Sequence, residues 1–305
     1  MYDIIGDVHG QATLLGKLLK KAGYGKKDNS YHHPERKAIF VGDFLNRGPE
    51  IKETLRIIRR MVEQGDAMAI LGNHEINTIL FTMKNEKGGS LIPVTGKRSA
   101  SVVQTFQQFK NYQEEWKDFR KWLRTLPFFL ELDPIRIVHA CWKDENIDIL
   151  KKEIQPGRIP KSIFRDLVVN SKSALSQSIL QTTRGIHLIL PPDLRIYDNH
   201  HRNHRFYRIR WWTEPQGLTF QEWSFESKFR LPGYTIPQEI IPAISEYPNE
   251  APLVFFGHYC RGNGPWVIKD NLCCVDACVT GKGTLAAYRW DGETVLDSGK
   301  LLFVK

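Results

Sequence analysis

Nowhere in the 305 residues does an apolar run approach the ~18 residues that a membrane-spanning helix needs. No membrane partner is therefore expected. Low-complexity tracts and repeats at a solenoid period are also missing. With 41% hydrophobic and 25% charged residues, the composition excludes a disordered, collagenous or coiled-coil protein. The opening run Met1-Tyr2-Asp3-Ile4-Ile5 has no basic segment leading into an apolar one, so no export signal is visible. Cysteine is sparse: Cys141, Cys260, Cys273, Cys274 and Cys278 make an odd number and lack the paired C-x2-C spacing of a zinc site. This predicts reduced thiols, buried strand positions for Cys273, Cys274 and Cys278, and a cytoplasmic setting. What the chain has in excess is positive charge. Its 43 Lys and Arg against 34 Asp and Glu give +9, which suits an anionic substrate, a nucleic acid or an acidic surface.

Short apolar runs alternate with helical patterns over the first 140 residues, the signature of βαβ units and a largely parallel sheet in an α/β protein. Strands are predicted at 2–5, 37–41, 67–71 and 135–138, then at 253–256 and 272–278, with a hairpin over 285–295 around Asp291-Gly292. Helices are predicted at 11–22, 49–64, 99–126 and 163–181. The third of these carries an apolar stripe of Val103, Phe106, Phe109, Trp116, Phe119 and Leu123 suited to core packing, whereas the Lys and Arg of 56–60 and 117–124 read as solvated faces. We take residues 1–305 as one domain with 150–250 as a cap or insertion within it.

The chemistry sits where the apolar runs stop. The first ends in Gly6-Asp7-Val8-His9-Gly10, the second in Gly42-Asp43 followed by Asn46-Arg47-Gly48-Pro49, and the third in Gly72-Asn73-His74-Glu75. The fourth ends in His139 and the fifth in Gly257-His258. Residues i and i+2 of an extended chain face the same way, so Asp7 and His9 can reach one point together. In open α/β sheets ligands bind at the carboxyl ends of the strands, which would gather all five groups on one edge. Carboxylate, imidazole and amide oxygen together suit first-row divalent metals, with Mn²⁺ first and Fe or Zn²⁺ as alternatives. Asp7, His9, Asp43, Asn73, His74, His139 and His258 exceed the needs of one ion and match a bridged pair.

These motifs, spread over residues 6–258, resemble those of the calcineurin-like metallophosphoesterases, in particular the phosphoprotein-phosphatase branch that also contains diadenosine tetraphosphate hydrolases. The resemblance implies a core of two packed mixed β-sheets flanked by helices and a binuclear metal centre. By that likeness Asp7, His9 and Asp43 would hold the first metal, with Asp43 bridging, and Asn73, His139 and His258 would complete the second. His74 would be the general acid and Arg47 a clamp on the phosphate. The branch commonly has Asp before that Arg, to orient the acid His. Here the position is Asn46, which cannot stabilise an imidazolium by charge and leaves His74 more easily neutral.

Candidate substrate-binding residues are Arg47, Asn46, Tyr259 and Arg261, the last two by adjacency to His258. The run Asp198–Arg205, with His200, His201 and His204, leads into Phe206–Trp212. If that run is a strand, Arg208, Arg210 and Trp212 share one face, either to meet a nucleic acid by stacking and phosphate contact or as a solvated edge. The expected activity is hydrolysis of phosphomonoesters by metal-bound hydroxide, as in protein serine/threonine phosphatases, on a phosphoprotein, nucleotide or small phosphoester. The alternatives are a dinucleoside polyphosphate or nucleic-acid-end phosphohydrolase, and an inactive phosphate-binding module.

Overall fold

The computed structural model describes residues 1–92, 97–190, 196–197, 203–204, 206–225, 231, 233, 235–238, 241, 246–260 and 264–305. In chain order its elements begin β1 (Tyr2–Ile5), α1 (Ala12–Lys21), β2 (Gly25–Lys27), β3 (Ser30–His32), β4 (Lys37–Phe40), α2 (Ile51–Glu63) and β5 (Ala67–Ala69). There follow α3 (Asn73–Phe81), α4 (Lys97–Gln108), α5 (Gln113–Leu123), β6 (Phe129–Leu132), β7 (Ile135–Val138), α6 (Asp144–Glu153), α7 (Lys161–Val169) and α8 (Ala174–Arg184). Next come β8 (His187–Ile189), β9 (Ile196–Tyr197), β10 (Asn203–His204), β11 (Phe206–Arg208) and α9 (Phe220–Trp223). The chain closes with β12 (Leu253–Phe256), β13 (Trp266–Lys269), β14 (Leu272–Cys274), α10 (Val279–Lys282), β15 (Leu285–Trp290) and β16 (Leu301–Val304).

The chain divides into two compact units, Met1–Arg184 with Pro252–Lys305, and Gly185–Ala251. The larger unit holds two five-stranded sheets, ordered β16-β15-β1-β4-β5 and β13-β14-β12-β7-β6. In each the inner pairings are parallel, β1 with β4 and β4 with β5 in the first, β7 with β12 and β12 with β14 in the second. Antiparallel strands close both edges of the second sheet, and in the first β15 and β16 are antiparallel on one side while parallel β5 is the other edge. Both sheets are therefore mixed, as the family likeness implied, and the largely parallel reading from periodicity described only their centres. Apolar residues alternate along each strand, so one set from each sheet meets between them: Ile4, Ile39 and Tyr288 from the first against Ile137, Phe255 and Cys273 from the second. Helices α1 and α2 bury Leu15, Leu18 and Leu19, and Ile51, Leu55 and Ile58, at the spacing that makes one apolar stripe.

Several expected elements differ. The helix predicted over 99–126 is two, because the chain turns at Phe109–Tyr112; Phe109, Trp116, Phe119 and Leu123 are buried while Val103 is exposed. The helix predicted over 163–181 is likewise broken between α7 and α8. The strand predicted over 272–278 ends at Cys274, and β15 pairs with β16 rather than with residues directly after Asp291-Gly292. Cys260 and Cys278 form a disulfide with Cα atoms 5.0 Å apart, which corrects the expectation of reduced thiols throughout and of a strand thiol at Cys278. Loop pairing of this kind has no spacing signature. Cys141, Cys273 and Cys274 are free and buried. No helix among the described residues is long and apolar enough to cross a membrane.

In the smaller unit β8 pairs with β11 and β9 with β10, all antiparallel, and a capping box of Thr219 and Glu222 starts α9. Tyr207, Trp211, Trp212 and Trp223 are buried there, so all the aromatics of the Arg–Trp run except the exposed Phe206 form a core rather than a stacking strip, and the strand itself stops at Arg208. His200, His201 and Arg205 lie outside the described residues.

Phe255 is fully buried between the sheets. Phe255→Ala should lower unfolding stability by about 3–5 kcal/mol through lost burial and a residual cavity, read as a lower urea midpoint at unchanged slope.

Candidate metal centre

Asp7 and His9 follow β1, Asp43 follows β4, Asn73 and His74 open α3, His139 follows β7 and His258 follows β12. Parallel pairing of β1 with β4 and of β7 with β12 brings these carboxyl ends into register within each sheet. The backbone then turns sharply. His9, Asp43, Asn46, Arg47 and His258 have φ of 44°, 53°, 66°, 66° and 65°. Asn, Asp and His enter this left-handed region more readily than other non-glycine residues, which matches four of the five. The turns are tied to one another: His9 and Gly10 donate their N–H groups to the carbonyls of Asp43 and Phe44 at 2.8 and 2.7 Å.

Asp43 is the centre of the cluster. Its Oδ2 lies 3.7 Å from His9 Nε2 and 4.0 Å from His74 Nε2, and its Oδ1 lies 3.4 Å from His139 Nε2. The backbone N–H of His74 donates to Oδ1 at 2.9 Å. Asp7 Oδ2 is 4.0 Å from His9 Nε2, and Asn73 Oδ1 is 3.1 Å from His139 Nε2. Two ligand groups are preassembled, His9 with Asp43 and His74, and Asp43 with His139 and His258, the ligand atoms of each within 4.8 Å of one another.

Proton bookkeeping tests whether these residues suit a cation. His9 Nδ1 faces the Leu45 carbonyl at 3.2 Å and His139 Nδ1 faces the Val41 carbonyl at 2.7 Å. A carbonyl only accepts, so each ring donates from Nδ1, and in the neutral ring Nε2 carries a lone pair. The His139 lone pair points at the Asp43 carboxylate and the Asn73 amide oxygen, which also only accept, and the His9 lone pair faces Asp43 with no donor among the described residues nearer than Arg47 Nη1 at 3.4 Å. Such a ring of acceptors closes only around extra protons or a metal ion, and a second-side N–H held by a backbone carbonyl is how histidine ligands are oriented. The residues fit divalent metal.

The ionisations carry the same imbalance. Burial opposes charge on His139, yet the hydrogen-bonded Asp43 carboxylate, Asp7 and the Val41 carbonyl push it up to about 10. His9 is pushed down to about 3 by burial and by the neighbouring His74 and Arg47. Burial and the Asp276 carboxylate raise Asp7 well above the usual range. Asp43 stays well below it despite burial, because three imidazoles surround it.

His74 has a different second side. Asn46 is fully buried, and its Oδ1 accepts from the Thr105 hydroxyl at 2.5 Å. That contact turns the amide nitrogen toward His74 Nδ1 at 3.0 Å and Thr78 Oγ1 at 3.0 Å. Burial, together with the Arg47, His139 and Arg184 charges, brings His74 down to about 4 even though Asp43 pulls the other way. Asn46, expected against substrate, is enclosed here with its amide on the His74 ring. Arg47 is exposed, and its Nη1 comes back to 3.4 Å from His9 Nε2, over the cluster.

Tyr259 is fully buried, its ring edge-on to His258 at 5.7 Å and to Phe256 at 5.7 Å, so it backs His258 and does not line an open surface as adjacency suggested. Arg261 lies outside the described residues. Three groups escaped the sequence reading. Glu75 accepts the N–H groups of Asp43, Gly72 and Phe44 at 2.8, 2.9 and 3.0 Å and is pushed up to about 7 by burial and the Asp43 charge. Thr105 reaches the site from α4 without any local signal. Asp276 is buried beside Asp7 and follows β14, so the strand-end rule would have found it had that strand been ended at Cys274.

The sequence profile of calcineurin-like phosphoesterases matches residues 2–262. The chain belongs to the calcineurin-like phosphoesterase family. Divalent metals are the cofactors of this family, and the two clustered ligand groups are of the kind that could hold them. A symmetrical bis(5'-nucleosyl)-tetraphosphatase of Marinomonas sp. (strain MWYL1) is 30% identical over 309 residues, 95% of this chain and 94% of its own. The asymmetrical bis(5'-nucleosyl)-tetraphosphatase PrpE of Oceanobacillus iheyensis is 42% identical over 143 residues, 45% of this chain and 54% of its own. Its counterpart in Halalkalibacterium halodurans is 45% identical over 74 residues, 24% of this chain and 30% of its own. The chain therefore spans about half or less of these last two relatives. Two solved phosphoesterase-like structures share the fold. A cold-active protein-tyrosine phosphatase of Shewanella has TM-score 0.52 at 16% identity, covering 94% of this chain and 75% of its own. A protein serine/threonine phosphatase of Saccharomyces cerevisiae has TM-score 0.51 at 14% identity, covering 99% and 78%.

Glu75→Gln places an amide N–H against a backbone donor. The expected loss is about 1–3 kcal/mol of stability, seen as a lower thermal midpoint together with reduced metal content after dialysis.

Proposed function

We propose that this phosphoesterase hydrolyses phosphoanhydrides of the dinucleoside polyphosphate class, and the observation that carries the reading is Asn46 on the second side of His74. Asp7, His9 and Asp43 would hold one divalent ion, and Asp43, Asn73, His139 and His258 a second, with Mn²⁺ our choice of metal. Two such ions, when bound, would neutralise phosphoryl charge and make water nucleophilic near neutral pH. Arg47 offers a planar pair of donors over the cluster that matches two phosphoryl oxygens. We retain residues 1–305 as one phosphoesterase domain and 150–250 as its cap or insertion.

At pH 7 a His74 with a pKa of about 4 is neutral. Its Nδ1 accepts the Asn46 N–H, so its one ring proton sits on Nε2, on the Asp43 side of the ring. A neutral imidazole gives up that proton reluctantly, whereas an imidazolium backed by a carboxylate gives it readily. A serine alkoxide needs the proton in order to leave, but a nucleotide phosphate does not. The tetraphosphatase names of the relatives agree with this preference.

The test compares diadenosine tetraphosphate, an aryl phosphate and a phosphoserine peptide on metal-stripped protein restored with Mn²⁺. Dinucleotide cleavage at the highest kcat/KM is expected; peptide preference would overturn the reading in favour of the phosphomonoesterase one. Asn46→Asp should raise the His74 pKa, move the acid limb of kcat to higher pH and favour the peptide over the dinucleotide by about 10²-fold or more. Asp43→Ala should abolish turnover on all three substrates and lower the bound metal measured by atomic emission.

A further inference from the structure

Away from the metal centre the larger unit has a cavity of about 680 Å³ whose charged lining is entirely basic. The sequence reading treated 117–124 as a solvated face. In the fold Lys117, Arg120, Lys121 and Arg124 stand at i, i+3, i+4 and i+7 on α5 and its C-terminal cap, and this one face forms a wall of the cavity. The opposite wall is the start of α7 with the residues before it, which bring Arg158, Lys161 and Arg165. Lys84, beyond α3, adds an eighth cation. None of the lining residues is acidic.

The neighbouring carboxylates are engaged elsewhere. Asp118 pairs with Arg59 at 2.6 Å, and Glu115 pairs with Arg56 at 2.6 Å. Lys117 alone has a partner, Glu114, at 3.3 Å. Among the described residues no carboxylate pairs with Arg120, Lys121, Arg124, Arg158, Lys161 or Arg165. Arg124 and Arg165 are held in place by backbone carbonyls, of Ile159 at 2.9 Å and Lys84 at 3.1 Å, so they are oriented without being neutralised. The Nε of Arg120 is buried and has no hydrogen-bond partner among the described residues. Burial and the neighbouring Arg158 charge both lower the Arg124 pKa, the sign of cations crowded together. Helix α7 begins with Lys161, has no acidic residue in its first turn and no side-chain cap, so its positive end adds to the excess.

Cations brought together without counter-charge repel one another and are compensated by an anion. The volume lies within the range of about 300–1,000 Å³ usual for small-ligand sites, which favours a compact ligand over a nucleic-acid duplex. An adjoining hollow of about 260 Å³ shares Thr82 and Arg120 with this cavity and is lined by Phe81, Phe106, Trp116 and Gln113, an extension with aromatic walls next to the charge. We propose that the cavity is a second anion site, built for a short chain of two or more phosphates, free or carried by a nucleoside. It shares no residue with the metal cluster, and it does not depend on the reaction proposed there.

Calorimetric titration of the full chain with inorganic tripolyphosphate and with ATP, in EDTA so that the metal centre is silent, tests the site. One equivalent should bind, and more weakly as salt rises. Lys121→Glu combined with Arg158→Glu, both at exposed positions, should weaken binding about tenfold or more at an unchanged thermal midpoint. Equal affinity for the two ligands assigns recognition to the phosphate chain; tighter ATP assigns the aromatic-walled hollow to the nucleoside. Absence of binding, or affinity untouched by the charge reversal, overturns the proposal. So does a single-stranded oligonucleotide whose affinity climbs with length past that of tripolyphosphate, which would make the surface a nucleic-acid track.

Discussion

The Asp43 carboxylate is buried with three imidazole nitrogens and a backbone N–H aimed at it. A buried negative charge persists only where positive charge or donors answer it. Most of the local architecture follows from that requirement. The Asp43 backbone is fixed by the Glu75 carboxylate, the Asp43 carbonyl takes N–H groups from Val8 and His9, and the loops after β1 and β4 and the start of α3 are thereby locked as one piece. His139 and His258 join from the other sheet, where parallel pairing of β7 with β12 sets their position. The packed strands supply stiffness, and the loops hold only the last turn of each approach.

Much of this was legible in the sequence for a simple reason. A buried strand is an apolar run, and a polar residue directly after one is exceptional enough to be noticed. Asp7, Asp43, His139 and His258 were found that way. The same logic located the parallel centres of both sheets, because β1, β4, β7 and β12 are buried on both faces and read as continuous apolar stretches. The antiparallel edges were less visible. Strands such as β13 and β6 are half exposed and carry little periodic signal over four residues.

What escaped the sequence depends on contacts between distant parts of the chain. Thr105 orients the Asn46 amide across 59 positions, and nothing about a threonine within α4 announces it. Val103 followed the helical stripe in number but faces solvent, because the helix breaks and the two halves roll differently. Lys117 to Arg124 read as a solvated face because a basic helical stripe has one sequence signature whether water or a cavity lies beyond it. Cys260 and Cys278 looked like unrelated thiols for the same reason. Each of these outcomes was decided by which surface packs opposite, and a local pattern does not contain that.

The order of the strands also sets an order in time. Tyr2 stands opposite Trp290 in one sheet, and Ile135 opposite Leu253 in the other. A ribosome adding about 5–20 residues per second leaves β1 without its antiparallel neighbour for on the order of tens of seconds. For most of that interval the nascent chain carries Asp7, His9 and Asp43 with one sheet half built and the His258 strand not yet made. Unpaired strand edges are where growing chains aggregate or meet chaperones. Asp7 is synthesised 251 residues before His258, so the cluster they share is completed only late in assembly.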